Sequence, residues 1–86
     1  MKIKDGFVLR SVADSYVVMN LGGEISFNGM LTLNESGALI WNLISEGLDE
    51  NEIVSRLLNE YDVTDMVARA DVSAFIKKIG EAGILE

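Results

Sequence analysis

The spacing of apolar residues changes once along this chain. Up to about residue 33 they come in short runs rich in β-branched and aromatic side chains, and from residue 34 they recur at three- and four-residue intervals. Phe7-Val8-Leu9-Arg10-Ser11-Val12 and Tyr16-Val17-Val18-Met19-Asn20-Leu21 predict two strands, and Ala13-Asp14-Ser15 between them supplies turn chemistry, so the pair reads as a hairpin. Gly22-Gly23 breaks the second strand, and Asn28-Gly29 is a turn dipeptide leading into a third, Met30-Leu31-Thr32-Leu33. The segment from Glu24 to Phe27 fits either a second hairpin with that strand or an ordered loop.

At Asn34 the helical signals begin. Asn34 has an N-cap side chain, Glu35 follows in the first turn, and apolar residues then run to about Ser45. Leu39, Ile40, Trp41, Leu43 and Ile44 cover most of this helix's circumference and leave a narrow polar face of Glu35, Asn42 and Ser45, which predicts the central, most buried helix. Gly47 suits a left-handed stop, and Asp49 with Glu52 forms a capping box for a second helix from about Glu50 to Tyr61. That helix is one-sided, with Ile53, Val54, Leu57, Leu58 and Tyr61 inward and Glu52, Ser55, Arg56 and Asn59 outward. Thr64 caps a third helix with the stripe Ala68, Val72, Phe75, Ile76 and Ile79, ended by Gly83 before Ile84-Leu85. Three short strands followed by three helices give an α+β module with a winged-helix-like order of parts.

Composition removes most chemistry from consideration. With 86 residues, 49% hydrophobic and 24% charged, eight glycines and no proline, the chain is expected to be one globular domain spanning 1–86. It has no cysteine and no histidine, so thiolate nucleophiles, disulfides, Cys/His zinc or iron–sulfur sites, Ser-His-Asp relays and a histidine pH switch are all excluded. Seven basic against 14 acidic residues give a net charge of -7, which argues against nucleic acid as a partner. The opening residues are too polar for a secretory signal and no apolar stretch approaches the roughly 20 residues that span a bilayer, so a soluble cytoplasmic protein without a membrane partner is expected.

The remaining candidate sites are weak on local grounds. Asp14-Ser15-Tyr16 has the composition of a carrier-protein Asp-Ser-Leu site, but Ser15 falls in a turn between strands and not at a mid-chain helix N-terminus; Ser36 lies in a first helical turn with the wrong flanks. Glu50/Glu52 and Asp62/Asp65 lack the alternating oxygen ligands of a calcium loop and suit helix starts. No lysine-serine pair follows Gly22-Gly23, so a phosphate cradle is not indicated. On the third helix Arg69, Lys77 and Lys78 are offset by Asp65, Asp71 and Glu81, leaving no cluster for reading base edges. More informative is the row Val67, Asp71, Ala74 and Lys78, at helical spacing beside Phe75. It reads either as ordinary surface or as a shallow apolar groove with one acidic and one basic rim residue, a surface suited to a peptide.

Leu33-Asn34-Glu35-Ser36-Gly37-Ala38-Leu39-Ile40-Trp41 resembles the Leu-Asn-Glu-Thr/Ser-Gly-Ala…Trp signature of the PqqD-like family, the RiPP precursor peptide recognition elements. Glu46-Gly47, Tyr61-Asp62-Val63, Asp71-Val72…Phe75 and Gly83-Ile84-Leu85 are similar to that family's later landmarks, in order and at matching spacing over nearly the whole chain. The resemblance implies three antiparallel strands packed on three helices and a non-enzymatic, cofactor-free role. Members bind the leader segment of a ribosomally made precursor peptide as an added strand along the third strand, in the cleft against the third helix, and deliver it to a modifying enzyme of the radical SAM or another type.

Carried onto this chain, Met30, Leu31, Thr32 and Leu33 would supply the ladder, and Val67, Asp71, Ala74, Phe75 and Lys78 would line or rim the groove. Small Ala74 would leave room for a leader side chain, and Lys78 would meet an acidic one. The opposite row, Arg69 and Ser73, stays open as the alternative flank. The segment from Gly22 to Gly29 is longer and richer in glycine than a plain hairpin, so a recognition element for another modified peptide fits at least as well as one in the quinone-cofactor pathway. A monomer is expected, with a strand-mediated or swapped dimer the alternative that an open strand edge creates. Two rival readings are a winged-helix DNA or protein-interaction regulator and a docking subunit of a biosynthetic enzyme.

Overall fold

A computed structural model of the chain describes residues 1–20 and 31–86. The strands are β1 (Phe7–Val12), β2 (Ser15–Asn20) and β3 (Leu31–Leu33), and the helices are α1 (Glu35–Ser45), α2 (Glu50–Glu60) and α3 (Asp65–Glu81). The sheet has the order β1-β2-β3 and is antiparallel throughout, with Phe7 opposite Asn20, Val12 opposite Ser15, and Tyr16, Val17 and Val18 opposite Leu33, Thr32 and Leu31. Ser15 is therefore the first residue of β2 and not part of the turn. The turn is only Ala13-Asp14, and Ala13 takes a left-handed φ of 53° so that the hairpin can close with its native twist. Met30, the Gly22-Gly23 break, the Glu24 to Phe27 alternatives and Asn28-Gly29 lie outside the described residues.

Each helix starts and stops where its local chemistry dictates. The Asn34, Asp49 and Thr64 side chains accept the amides of Gly37, Glu52 and Val67, and Glu52 returns a bond to the Asp49 amide at 2.9 Å. Both α1 and α3 end in the same six-residue motif. Leu48 N–H reaches the Leu43 carbonyl and Gly47 the Ile44 carbonyl; at the other helix Ile84 reaches Ile79 and Gly83 reaches Gly80. The glycines supply the left-handed φ values the motif needs, 94° at Gly47 and 78° at Gly83.

The core lies where α1 meets everything else. α1 packs on β2 and β3 on one side and on α2 and α3 on the other, burying Ala38, Ile40, Trp41, Leu43 and Ile44. Val18 and Leu33 come from the sheet, Ile53, Val54 and Leu57 from α2, and Ala68, Val72, Phe75 and Ile79 from α3. Leu58, expected inward, is 37% exposed, because α2 is covered along one narrow arc centred on Ile53 and Leu57. Ile84, fully buried, seats the C-terminal end on this core. Its carbonyl accepts from the Lys4 amide at 2.7 Å, and Glu86 N–H reaches the Lys2 carbonyl at 2.8 Å, so the two chain ends are laced together.

Candidate functional site

Among the described residues β3 is an edge strand: its one neighbour is β2, and the backbone groups on its other side have no partner. That free side opens onto a groove of about 660 Å³. Thr32 and Leu33 of β3 and the start of α1, from Asn34 through Gly37 to Ile40, form one wall and the floor; Asp71, Ala74, Phe75 and Lys78 of α3 form the other wall. Asp14 and Ser15 of the hairpin close one end.

The close approach of these walls depends on Gly37. A methyl group there would lie 3.1 Å from Asn34 Oδ1, 3.3 Å from Leu33 Cβ and 3.5 Å from Phe75 Cε1, so β3, α1 and α3 meet at a point that would take a side chain only if a neighbour yielded. Asn34 is fixed in the same place by accepting the Gly37 amide at 2.8 Å and the Ser36 hydroxyl at 3.1 Å.

Most of the residues expected from the sequence are brought together here. Thr32, Leu33, Asp71, Ala74, Phe75 and Lys78 all line the groove. Leu31 belongs to the ladder, but its side chain is half-buried against the core and is not part of the lining. Val67, one helical turn before Asp71, is 45% exposed and is not among the residues lining this groove. On the opposite flank of α3, Arg69 donates to Asp65 of the same helix and to Asn51 of α2, each at 2.9 Å, while Ser73 is exposed. The side chains of Asp71 and Lys78 form no ion pair or hydrogen bond among the described residues, so both charges are available to whatever enters.

A second cavity of about 340 Å³, which the sequence did not indicate, adjoins the first. Asn34, Ser36 and Asp71 line both, and the second continues between the start of α1 and the α2–α3 junction over Glu35, Leu57, Tyr61, Val63 and Ala68. Burial, then the carboxylates of Glu35 and Glu60, push the Tyr61 hydroxyl above its ordinary pKa. Among the described residues no group of three or more acidic, histidine or cysteine side chains is placed to hold a metal, and no helix is long and apolar enough to cross a membrane.

The sequence profile of the family described as "Coenzyme PQQ synthesis protein D (PqqD)" matches residues 15–85. No curated protein matches the chain. Among solved structures, TbiB1 in complex with the TbiA(β) leader peptide is 29% identical and superimposes with a TM-score of 0.83 over 100% of this chain and 95% of its own. A lasso peptide synthetase B1 complexed with its leader peptide has a TM-score of 0.82 at 19% identity, over 99% of this chain and 95% of its own, and shares the fold.

Proposed function

The chain belongs to the PqqD family, and from that premise we propose that it binds the leader segment of a ribosomally synthesised precursor peptide without catalysing a reaction on it. The leader adds as a fourth strand along β3 and lays alternate side chains into the groove against α3. The bound precursor is then presented to a peptide-modifying enzyme, a radical SAM enzyme or another maturase.

The observation that carries this reading is the open β3 edge facing a groove of about 660 Å³ walled by α3. Strand addition needs backbone donors and acceptors already fixed in an extended line, with side-chain pockets beside them, and both are present. Support also comes from TbiB1, a structure of similar fold that was solved with a leader peptide. The residues proposed to carry the function are Leu31, Thr32 and Leu33 for the ladder and Asp71, Ala74, Phe75 and Lys78 for the groove.

Substituting Ala74→Trp tests this. Ala74 lies in the groove wall and is exposed, so an indole there fills the groove without entering the core. Peptides selected from a displayed random library against the native chain are expected to lose about tenfold or more in affinity for the variant, as expected when a central contact is blocked, while its melting temperature stays close to that of the native chain. Undiminished binding by a folded Ala74→Trp variant would place the peptide elsewhere.

A further inference from the structure

The groove does not end at the sheet. It shares Asn34, Ser36 and Asp71 with the second cavity, and the lining of that cavity differs from that of the first. Its lining combines apolar side chains, Leu57, Val63 and Ala68 with the Tyr61 ring, with the acidic residues Glu35 and Asp71 and the polar Asn34 and Ser36. No lysine or arginine lines it, and neither carboxylate has an ion-pair partner among the described residues.

We propose that this cavity is a specificity pocket for a lysine or arginine side chain carried by the leader just before its added strand. The inference rests on the strand-addition reading above. Strands pair more favourably antiparallel than parallel. A peptide antiparallel to β3 places the residues preceding its own strand beside Leu33 and Asn34, the end of β3 that adjoins this cavity.

The pocket selects by elimination. A plain apolar side chain would suit Leu57, Val63 and Ala68 but desolvate the Glu35 and Asp71 carboxylates without giving either a counter-charge. An acidic one would be repelled by both. A long aliphatic stem ending in a cation satisfies both parts, with its methylenes on Leu57, Val63 and Ala68 and its charge between Glu35 and Asp71. The net charge of -7 adds long-range attraction for the same kind of ligand.

The test uses the full chain and peptides selected from a displayed library of random 15-residue sequences. Lysine or arginine should be enriched just N-terminal to the strand-forming segment. A synthetic selected peptide should bind about fivefold more tightly than its copy with norleucine at that position, the scale of a partly exposed charge pair. On Glu35→Gln, and separately on Asp71→Asn, that difference should shrink to within about twofold, the double-mutant signature of a direct pair. Tyr61 and Val63 resonances should shift only with the cationic peptide bound. Shifts at Leu31–Leu33 and Phe75 with none at Tyr61 or Val63, and equal affinities for the two peptides, would overturn this inference and leave strand addition standing. Failure of every selected peptide to perturb Leu31–Leu33 would overturn both.

Discussion

Two glycines in this chain should respond to the same substitution with opposite signs. At Gly37, the third residue of α1, an alanine gains helix propensity of up to about 1 kcal/mol. Against that, its methyl would sit 3.1 Å from Asn34 Oδ1 and 3.3 Å from Leu33 Cβ, inside the separations at which such atoms pack well, roughly 3.5 Å and more for carbon. Relief by a few tenths of an ångström must come from Asn34, which stretches the 2.8 Å cap bond, or from Leu33, which is 5% exposed and part of the core. Overpacking costs about 1–3 kcal/mol and a lost N-cap about 1. The net effect of Gly37→Ala is therefore a loss of about 1–2 kcal/mol. At Gly80, near the end of α3, the same methyl meets only Leu85 Cδ1 at 3.9 Å, an ordinary contact. Gly80→Ala should stabilise by about 0.5–1 kcal/mol. Thermal unfolding separates the two readily, since each kcal/mol moves the melting temperature of a domain this size by about 4–8 °C. A Gly37→Ala protein as stable as the native chain would refute the tight meeting of β3, α1 and α3 that shapes the groove floor.

Gly47→Ala should cost about 1–2 kcal/mol in urea denaturation, entirely from backbone strain at φ 94°, because nothing lies within 4 Å of the new methyl. The raised pKa of Tyr61 carries a pH dependence of definite sign. The folded chain holds the phenolic proton more tightly than the unfolded chain, so this contribution is complete below the ordinary value of 10.0 and is lost as pH rises from there through the raised value. Melting curves from pH 8 upward should show this decline in the native chain and a shallower one in Tyr61→Phe.

Local signals carried most of the fold into view from the sequence. Asn34, Asp49 with Glu52, Thr64, Gly47 and Gly83 act on backbone within a few residues of themselves, and all five work in the structure as their spacing indicates. Errors arose where a neighbouring element decides. Leu58 belongs to the apolar arc of α2 but lies past the edge of what α1 and α3 cover. Val67 continues the Asp71–Ala74–Lys78 row but is 45% exposed and lies outside the lining of the groove. The groove itself could be anticipated from one helix row, whereas the second cavity draws Glu35, Leu57, Tyr61, Val63 and Ala68 from three helices and the α2–α3 junction, and no spacing along the chain links them. The edge status of β3 likewise followed from the family resemblance, since a three-residue strand carries no sign of which of its sides is paired.

Amide hydrogen exchange across β3 reaches the central claim most directly. When a library-selected peptide saturates the chain, those amides of Leu31, Thr32 and Leu33 that point away from β2 should exchange about tenfold or more slowly, because each gains a ladder bond to the added strand. Saturable binding that leaves all three amides exchanging as they do in the free chain would contradict strand addition at β3.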